Sequence, residues 1–287
     1  MKQIYSLLFL SILFLSSCKL INPDEDIPAH ITISKVSFKA KAMQGSDSVQ
    51  IKDIWIYMDN DLVGSYQLPL KAPILKSGKH SMTLRPGVIL NGISATRSVN
   101  PFYTSVTSDV DLVAGQSITT EPHFTYADGV KFPWNSRGEE DFEEAGITID
   151  SVSSSSCIIR KTNKEVYEGR YSGIIHLDQG HKNYIGQSSR SFVLPKNKAA
   201  VVMEIHVKNT KIPLYIGMYV NLPGGTVMDI SHLGVKPSAQ WKMLYVNFTE
   251  LVSYYPKAES YKVTFKADLG NNDSANVYLD DIKIMHF

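Results

Sequence analysis

Residues 51–58 read Ile-Lys-Asp-Ile-Trp-Ile-Tyr-Met, and they are followed by Asp59-Asn60-Asp61 and a returning segment at residues 62–68. Most residues of the first stretch are β-branched or aromatic, which favours a strand. The Asp-Asn-Asp run favours a tight turn. This part of the chain therefore predicts a β-hairpin.

Similar short segments lie on both sides of this hairpin, separated by turns such as Ser77-Gly78 and Pro86-Gly87. We expect these strands at residues 31–38, 80–84, 102–106, 110–113 and 118–124. None of the segments has a convincing helical period. Short strands with turn residues between them are typical of a β-sandwich, which we place at residues 30–126.

Residues 127–138 carry Gly, Pro and Asn without alternation, which predicts a linker between two domains. A second series of eight strands is expected at residues 157–160, 171–177, 189–194, 200–207, 214–221, 242–248, 261–267 and 275–285. Eight strands in about 150 residues fit a jelly roll, here at residues 139–287. The predicted fold class is all-β, with two sandwich domains.

The N-terminus carries an export signal. Residues 4–15 are mostly apolar, but the run is shorter than the roughly 20 residues that a membrane-spanning helix needs. It fits the apolar region of a signal peptide, residues 1–17. The following Leu15-Ser16-Ser17-Cys18 resembles the bacterial lipobox. That resemblance implies a lipid such as palmitate on Cys18, which anchors the chain to the membrane. An ordinary secretory signal is the alternative.

Residues 18–29 look like a lipidated tether, because two prolines and the triplet Asp24-Glu25-Asp26 discourage regular structure. The triplet loosely resembles the acidic export tag of surface-exposed lipoproteins. A solvated linker explains it equally well. We therefore expect a lipid-anchored protein of the outer membrane, with the cell-surface and periplasmic faces both open.

The charge balance argues against one class of partner. The formal net charge is +1, and loss of Lys2 with the signal peptide leaves a neutral chain. Nucleic-acid binding normally calls for a basic patch or stripe, so nucleic acid is not an expected partner. Acylation of Cys18 leaves Cys157 without a cysteine partner, which excludes an intrachain disulfide.

Residues 54–87 contain an apolar strand ending in Asp, a later Gly, and a Gly-Lys-His strand that closes on Pro-Gly. This order resembles the PEGA-type surface repeat. The resemblance implies a small β-sandwich and names no active site.

Four segments of the second half have a family resemblance: Asp141-Phe142-Glu143, Tyr-Glu-Gly-Arg-Tyr-Ser-Gly at residues 167–173, Trp-Lys-Met-Leu-Tyr-Val at 241–246, and Val-Tyr-Leu-Asp-Asp-Ile-Lys-Ile at 277–284. Together they resemble the jelly-roll carbohydrate-binding modules, also called galactose-binding-like domains. The resemblance implies a jelly roll that binds a glycan.

The same resemblance implies a structural calcium site. In such a fold the first and last strands lie close together, so Glu143 and Asp280 would share an oxygen cage with carbonyls of the loop before Tyr171. The alternative is that Asp280 and Asp281 end a strand in solvent. No other cofactor is expected.

A sugar site needs aromatic faces and a few hydrogen-bonding groups. The pair Tyr254-Tyr255, beside Pro256, is expected at a loop or strand end and is the predicted ligand-binding site. Trp241 leads a strand, so we expect it in the core. The other aromatic candidates are Tyr184, Tyr215 and Tyr219.

No catalytic motif is present in the sequence. It lacks His-Glu-x-x-His, Gly-x-Ser-x-Gly and a P-loop, so we predict no enzyme and no catalytic residue. The expected function is an envelope lipoprotein that binds a glycan through its jelly roll. The alternative is a structural or adhesion protein that binds other envelope proteins.

Three triplets, at residues 47–49, 150–152 and 273–275, read Asp-Ser followed by Val or Ala. They resemble an O-glycosylation site of some Gram-negative envelope proteins, which implies glycans on Ser48, Ser151 and Ser274. Each is expected in or beside an exposed loop. Ordinary turn chemistry of Asp-Ser is the alternative.

Overall fold

A computed structural model describes residues 26–287. The signal peptide, Cys18 and most of the expected tether lie outside the described residues. None of the helices in the described part is long and apolar enough to cross a membrane. The structure confirms the all-β fold class: among residues 26–287 it has, beside the strands, one six-residue helix, α1 (Thr249–Tyr254), and a 3₁₀ turn at Pro223–Gly225.

The first half of the described chain forms ten strands. They are β1 (Ala29–Ile33), β2 (Ser37–Phe38), β3 (Asp53–Met58), β4 (Asp61–Gln67), β5 (Leu70–Ile74), β6 (Gly78–Ile89), β7 (Arg97–Val99), β8 (Val106–Leu112), β9 (Ser117–Thr119) and β10 (His123–Phe124).

These strands pack as a sandwich. One sheet has the order β5-β1-β9, and the other has the order β4-β3-β6-β7 with β8 also paired to β6. Every second residue of β1, such as Ile31 and Ile33, faces inward and meets Ile54 and Ile56 of β3 in one apolar core. The period-two alternation of these strands decides which residues enter the core.

The second half forms another ten strands. They are β11 (Ile149–Ser151), β12 (Arg160–Thr162), β13 (Ser172–Asp178), β14 (Asn183–Ser188), β15 (Val201–Asn209), β16 (Leu214–Asn221), β17 (Val227–Val235), β18 (Ser238–Asn247), β19 (Ser260–Asp268) and β20 (Ser274–His286).

These ten strands form two five-stranded antiparallel sheets packed face to face. Their orders are β11-β14-β19-β16-β17 and β12-β13-β20-β15-β18. A large apolar core fills the space between them, and it includes Met203 and Ile205 of β15 and Phe265 of β19. This is the sandwich architecture that the strand count predicts.

Two predicted strands are absent from the described structure. Residues 102–106 form mostly a turn and loop, and residues 189–194 form a loop with one isolated bridge at Phe192. The large rings of Phe102 and Tyr103 are buried against the second sandwich, and this contact explains their place in the sequence better than membership of a sheet does. The strands β5, β7, β11, β14 and β17 were not predicted, and polar residues interrupt β14 and β17.

The segment 127–138 is not the exposed linker that its composition suggests. Trp134 is buried in the core of the second sandwich, and its indole N–H donates to the hydroxyl of Thr148 at 2.8 Å. The backbone N–H of Lys131 donates to the carbonyl of His286 at 2.7 Å. The segment therefore packs against the second sandwich along much of its length.

A third apolar cluster joins the two sandwiches. It combines Phe102, Tyr103 and Tyr126 from the first half with Val202, Tyr245 and Met285 from the second. The rings of Tyr103 and Tyr126 pack edge to face, with an interplanar angle of 63° and centroids 5.5 Å apart. This is a favourable aromatic arrangement. The sandwiches therefore share buried surface.

The buried carboxylate of Glu204, on β15, lies in the middle of this interface. It accepts hydrogen bonds from the hydroxyls of Tyr103 at 2.5 Å and Tyr126 at 2.8 Å. The ammonium of Lys283 lies 3.8 Å from Glu204 and 3.3 Å from Glu139. Burying a carboxylate is costly unless it is paired and hydrogen-bonded, so these partners determine how the sandwiches dock.

We expect Tyr126→Phe to lower the free energy of unfolding by about 1–3 kcal/mol, because it removes a hydrogen-bond donor from a buried carboxylate. Chemical denaturation measures the change. The control is Tyr254→Phe, whose hydroxyl is on an exposed side chain and should change stability by less than about 0.5 kcal/mol. Equal effects of the two substitutions would contradict the role assigned to Glu204.

Candidate functional site

In the second sandwich, the sheet β12-β13-β20-β15-β18 has an outer face that carries polar and aromatic residues. Along β18, Leu244 and Val246 face the core, so the alternation directs Trp241, Met243 and Tyr245 outward. The first sandwich covers the end of this face that carries Tyr245. The part around Trp241 stays accessible.

A cavity of about 530 Å³ lies where the two sandwiches meet. One wall is a loop of the first sandwich at residues 89–93, together with Gln50. The other wall is the turn between β17 and β18 and the start of β18. The lining residues are Gln50, Ile89, Asn91, Gly92, Ile93, Leu233, Gly234, Val235, Lys236, Trp241, Lys242, Met243 and Leu244.

Asn91 fixes the first wall to the second. Its backbone N–H donates to the carbonyl of Tyr245 at 2.7 Å, and its side-chain oxygen accepts from the N–H of Asn247 at 2.9 Å. Its φ is +54°, a left-handed conformation that Asn tolerates better than most residues. Since β18 is the last strand of its sheet, this contact holds the loop against a sheet edge.

Trp241 does not belong to the core, contrary to the prediction from the sequence. It is half-buried and lines the cavity. Its ring centroid lies 5.8 Å from that of Tyr167 and 6.3 Å from that of Tyr278. These aromatic neighbours restrain the indole and leave part of it facing the cavity.

A loop at residues 165–171, here called the strap, holds Tyr167 in place. The ring of Tyr167 stacks on buried His206 with centroids 3.6 Å apart. The carboxylate of Asp280 accepts the backbone N–H groups of Tyr167 at 3.1 Å and Glu168 at 3.4 Å. Burial and the neighbouring Asp281 carboxylate raise the pKa of Asp280 to about 8. Asp280 is thus a buried residue under the strap, not a solvated strand end.

Glu143 holds the other end of the strap. Its carboxylate accepts the backbone N–H groups of Arg170 at 2.6 Å and Tyr171 at 2.8 Å. Burial alone would raise the pKa of Glu143, but these N–H groups and the Arg170 guanidinium hold it below its ordinary value. Gly169, with φ +74°, permits the approach: a Cβ atom there would lie 2.6 Å from a Glu143 oxygen.

The residues around the strap do not fit a calcium cage in this arrangement. The strap does lie against both Glu143 and Asp280, as the family resemblance implies, but it directs N–H groups at them. Calcium requires oxygen ligands, whereas the strap presents N–H donors to both carboxylates. Within residues 26–287, no three His, Cys, Asp or Glu side chains are grouped to hold a metal ion.

Tyr254 is the last residue of α1, and Tyr255 is the first residue of the loop that follows it. Tyr254 is 78% exposed, whereas Tyr255 is half-buried against the core. Their rings are 5.0 Å apart and nearly perpendicular, so they do not form one flat platform. Of the other aromatic candidates, Tyr184 is fully buried, and Tyr215 and Tyr219 lie on β16 of the opposite sheet.

The three serines of the Asp-Ser triplets are all half-buried. The Ser48 hydroxyl donates to the carboxylate of Glu168 on the strap. Ser151 is the last residue of β11, beside the loop that follows it, and its hydroxyl oxygen is buried. Ser274 is the first residue of β20 and is half-buried. Glycosylation of these residues stays a prediction.

No protein-family model matches this chain, and no curated protein sequence matches it. The comparison with solved structures finds carbohydrate-binding modules at low identity, with TM-scores below 0.5. The CBM22-1 xylan-binding domain from Paenibacillus barcinonensis is 16% identical, with a TM-score of 0.39 over 52% of this chain and 92% of that one. TmCBM61 in complex with β-1,4-galactotriose is 12% identical, with a TM-score of 0.31 over 48% of this chain and 87% of that one.

We expect calcium to change the melting temperature of the metal-free chain little, because the two carboxylates of the strap are already hydrogen-bonded. A ligand that binds only the folded state raises the melting temperature by mass action. Differential scanning calorimetry in EDTA and in excess calcium measures this. A marked stabilisation that Glu143→Gln removes would instead support the calcium site implied by the family resemblance.

Proposed function

We propose that this protein binds a saccharide in the cavity between its two sandwiches, with Trp241 as the surface on which a sugar ring stacks. The observation that carries the proposal is a half-buried indole, restrained by two tyrosines, in a concave site of about 530 Å³. Concave sites with an aromatic face and a few polar groups are typical of small-ligand binding.

The polar groups of the site have suitable chemistry. Gln50 and Asn91 line the cavity from the first sandwich, and Lys236 and Lys242 line it from the second. Amides and ammonium groups form hydrogen bonds with sugar hydroxyls. Stacking therefore comes from the second sandwich and hydrogen bonding from both walls, so a bound sugar would contact both sandwiches.

The cavity is a better candidate than the pair Tyr254-Tyr255. A sugar ring needs an apolar face of about its own size, and the two tyrosine rings are nearly perpendicular. Tyr254 also projects from the surface, where a ligand would gain contacts on one side only. Trp241, in contrast, is flanked by cavity walls.

The proposed setting is the bacterial envelope. A lipid on Cys18 would hold the chain at the outer membrane, and residues 19–28 would separate the lipid from β1. This part of the proposal rests on the lipobox-like residues 15–18. The proposed function includes no catalytic step; it is the recognition of a glycan near the membrane.

The purified full chain in detergent should bind oligosaccharides on a glycan array, and Trp241→Ala should weaken the strongest interaction about tenfold or more, because the stacking surface is lost. Isothermal titration measures both proteins. The matched control is Tyr254→Ala, which removes an exposed aromatic ring that does not line the cavity and should leave the affinity unchanged.

The reverse pattern, with affinity lost in Tyr254→Ala and kept in Trp241→Ala, would move the site to α1. An array that shows no bound saccharide for the unmodified chain would contradict glycan binding altogether. Thermal melting of both variants identifies any loss that comes from unfolding.

Cys18→Ala should produce a chain that incorporates no labelled palmitate and that fractionates away from membranes, because the thiol that would carry the lipid is gone. The control is Cys157→Ala, which keeps the lipobox-like residues. Palmitate in the Cys18→Ala protein would contradict the proposed anchor.

A further inference from the structure

The charged residues at the cavity are all of one sign. Lys236 and Lys242 line it, whereas no aspartate or glutamate is among its lining residues. The chain as a whole has nearly equal numbers of acids and bases. A cavity with two cations and no acid is therefore a local departure from the overall composition.

Both lysines are free of protein partners within residues 26–287. Neither ammonium group lies within ion-pair distance of a carboxylate there, and neither donates a side-chain hydrogen bond to another described residue. Other lysines of the same sandwich are engaged: Lys208 pairs with Glu165, and Lys266 pairs with Asp229. The two cavity lysines thus keep their charge available for a ligand.

The position of the lysines matches their proposed task. Lys242 and Trp241 start from opposite faces of β18, but β18 is the last strand of its sheet, and both residues line the cavity at that edge. Lys236 lies in the turn that leads into β18 and lines the same cavity. A sugar ring stacked on Trp241 would have its substituents within reach of this turn. Ammonium groups bind carboxylate and sulfate oxygens through charge-assisted hydrogen bonds, which are stronger than neutral ones.

We propose that the saccharide bound beside Trp241 is anionic: a chain whose sugar rings carry carboxylate or sulfate groups that Lys236 and Lys242 recognise. This inference rests on the proposed function and adds the class of ligand. The concave cavity and its indole favour a saccharide over a flat anionic membrane surface. The ring stacks on Trp241, and the acidic substituent points to the turn between β17 and β18.

The test uses the full chain and pairs of oligosaccharides that differ only in charge. An oligosaccharide of galacturonic acid is compared with its methyl ester, and a sulfated oligosaccharide is compared with its desulfated form. At low ionic strength, at least one acidic member should bind about tenfold more tightly than its neutral counterpart. The difference should shrink as salt is added, because exposed charges are screened.

Lysine variants locate the charge recognition. Lys236→Met and Lys242→Met keep most of the side-chain length and remove the charge, and each should weaken acidic-saccharide binding about fivefold at low salt. Lys242→Arg should restore most of the affinity. The control is Lys257→Met, an exposed lysine beside Tyr254-Tyr255, which should have no effect.

The outcomes separate this inference from the proposed function. Equal binding of charged and neutral partners, lost in Trp241→Ala, would overturn the anionic ligand and leave saccharide binding standing. Equal binding of poly-glutamate and the acidic saccharide would also overturn it, because the sugar ring would then contribute nothing. Failure of every saccharide to bind would overturn both proposals.

Discussion

The carboxylate of Glu204 is the constraint on which the arrangement of this molecule depends. It lies on the outer face of a sheet, the side that a single sandwich would expose to water, and yet it is fully buried. The first sandwich supplies the hydroxyls of Tyr103 and Tyr126, and β20 supplies Lys283. Because removing any one partner leaves a buried charge undersatisfied, the two sandwiches have one favourable way to dock.

That docking creates the cavity. With Glu204 and Tyr245 covered, the loop at residues 89–93 reaches the edge of β18, where Asn91 bonds to the backbone of Tyr245 and Asn247. The cavity opens just beyond this contact. Neither sandwich contains the whole site, since Gln50 and Asn91 come from one and Trp241 from the other. Ligand binding and domain docking are therefore linked through the same few residues.

Local patterns were enough to predict many of the strands but not the contacts between the sandwiches. The alternation at residues 214–221 predicted β16 to the residue, because its side chains alternate between core and surface. The bond between Tyr103 and Glu204 joins residues 101 apart in the sequence, and no local pattern reports such a contact. The strand predicted at residues 102–106 is absent, because the aromatic ring of Tyr103 is buried by the partner sandwich and not within a sheet.

The site could have been found in part. Trp241 was predicted to lie in the core because it leads an apolar strand, but Leu244 and Val246 set the inward phase of that strand, so residue 241 faces outward. That signal was in the sequence. The position of Lys236 and Asn91 on opposite walls depends on how the sandwiches dock, and only the structure shows it.

The most direct measurement is the response of the three tryptophan indole N–H signals to a saccharide in NMR spectra of ¹⁵N-labelled protein. Trp134 is buried in the second core and donates to Thr148, so its signal serves as an internal reference. The account predicts that the signal missing from a Trp241→Phe spectrum shifts on titration while that of Trp134 stays in place. A saturating saccharide that leaves the Trp241 signal unmoved would contradict it.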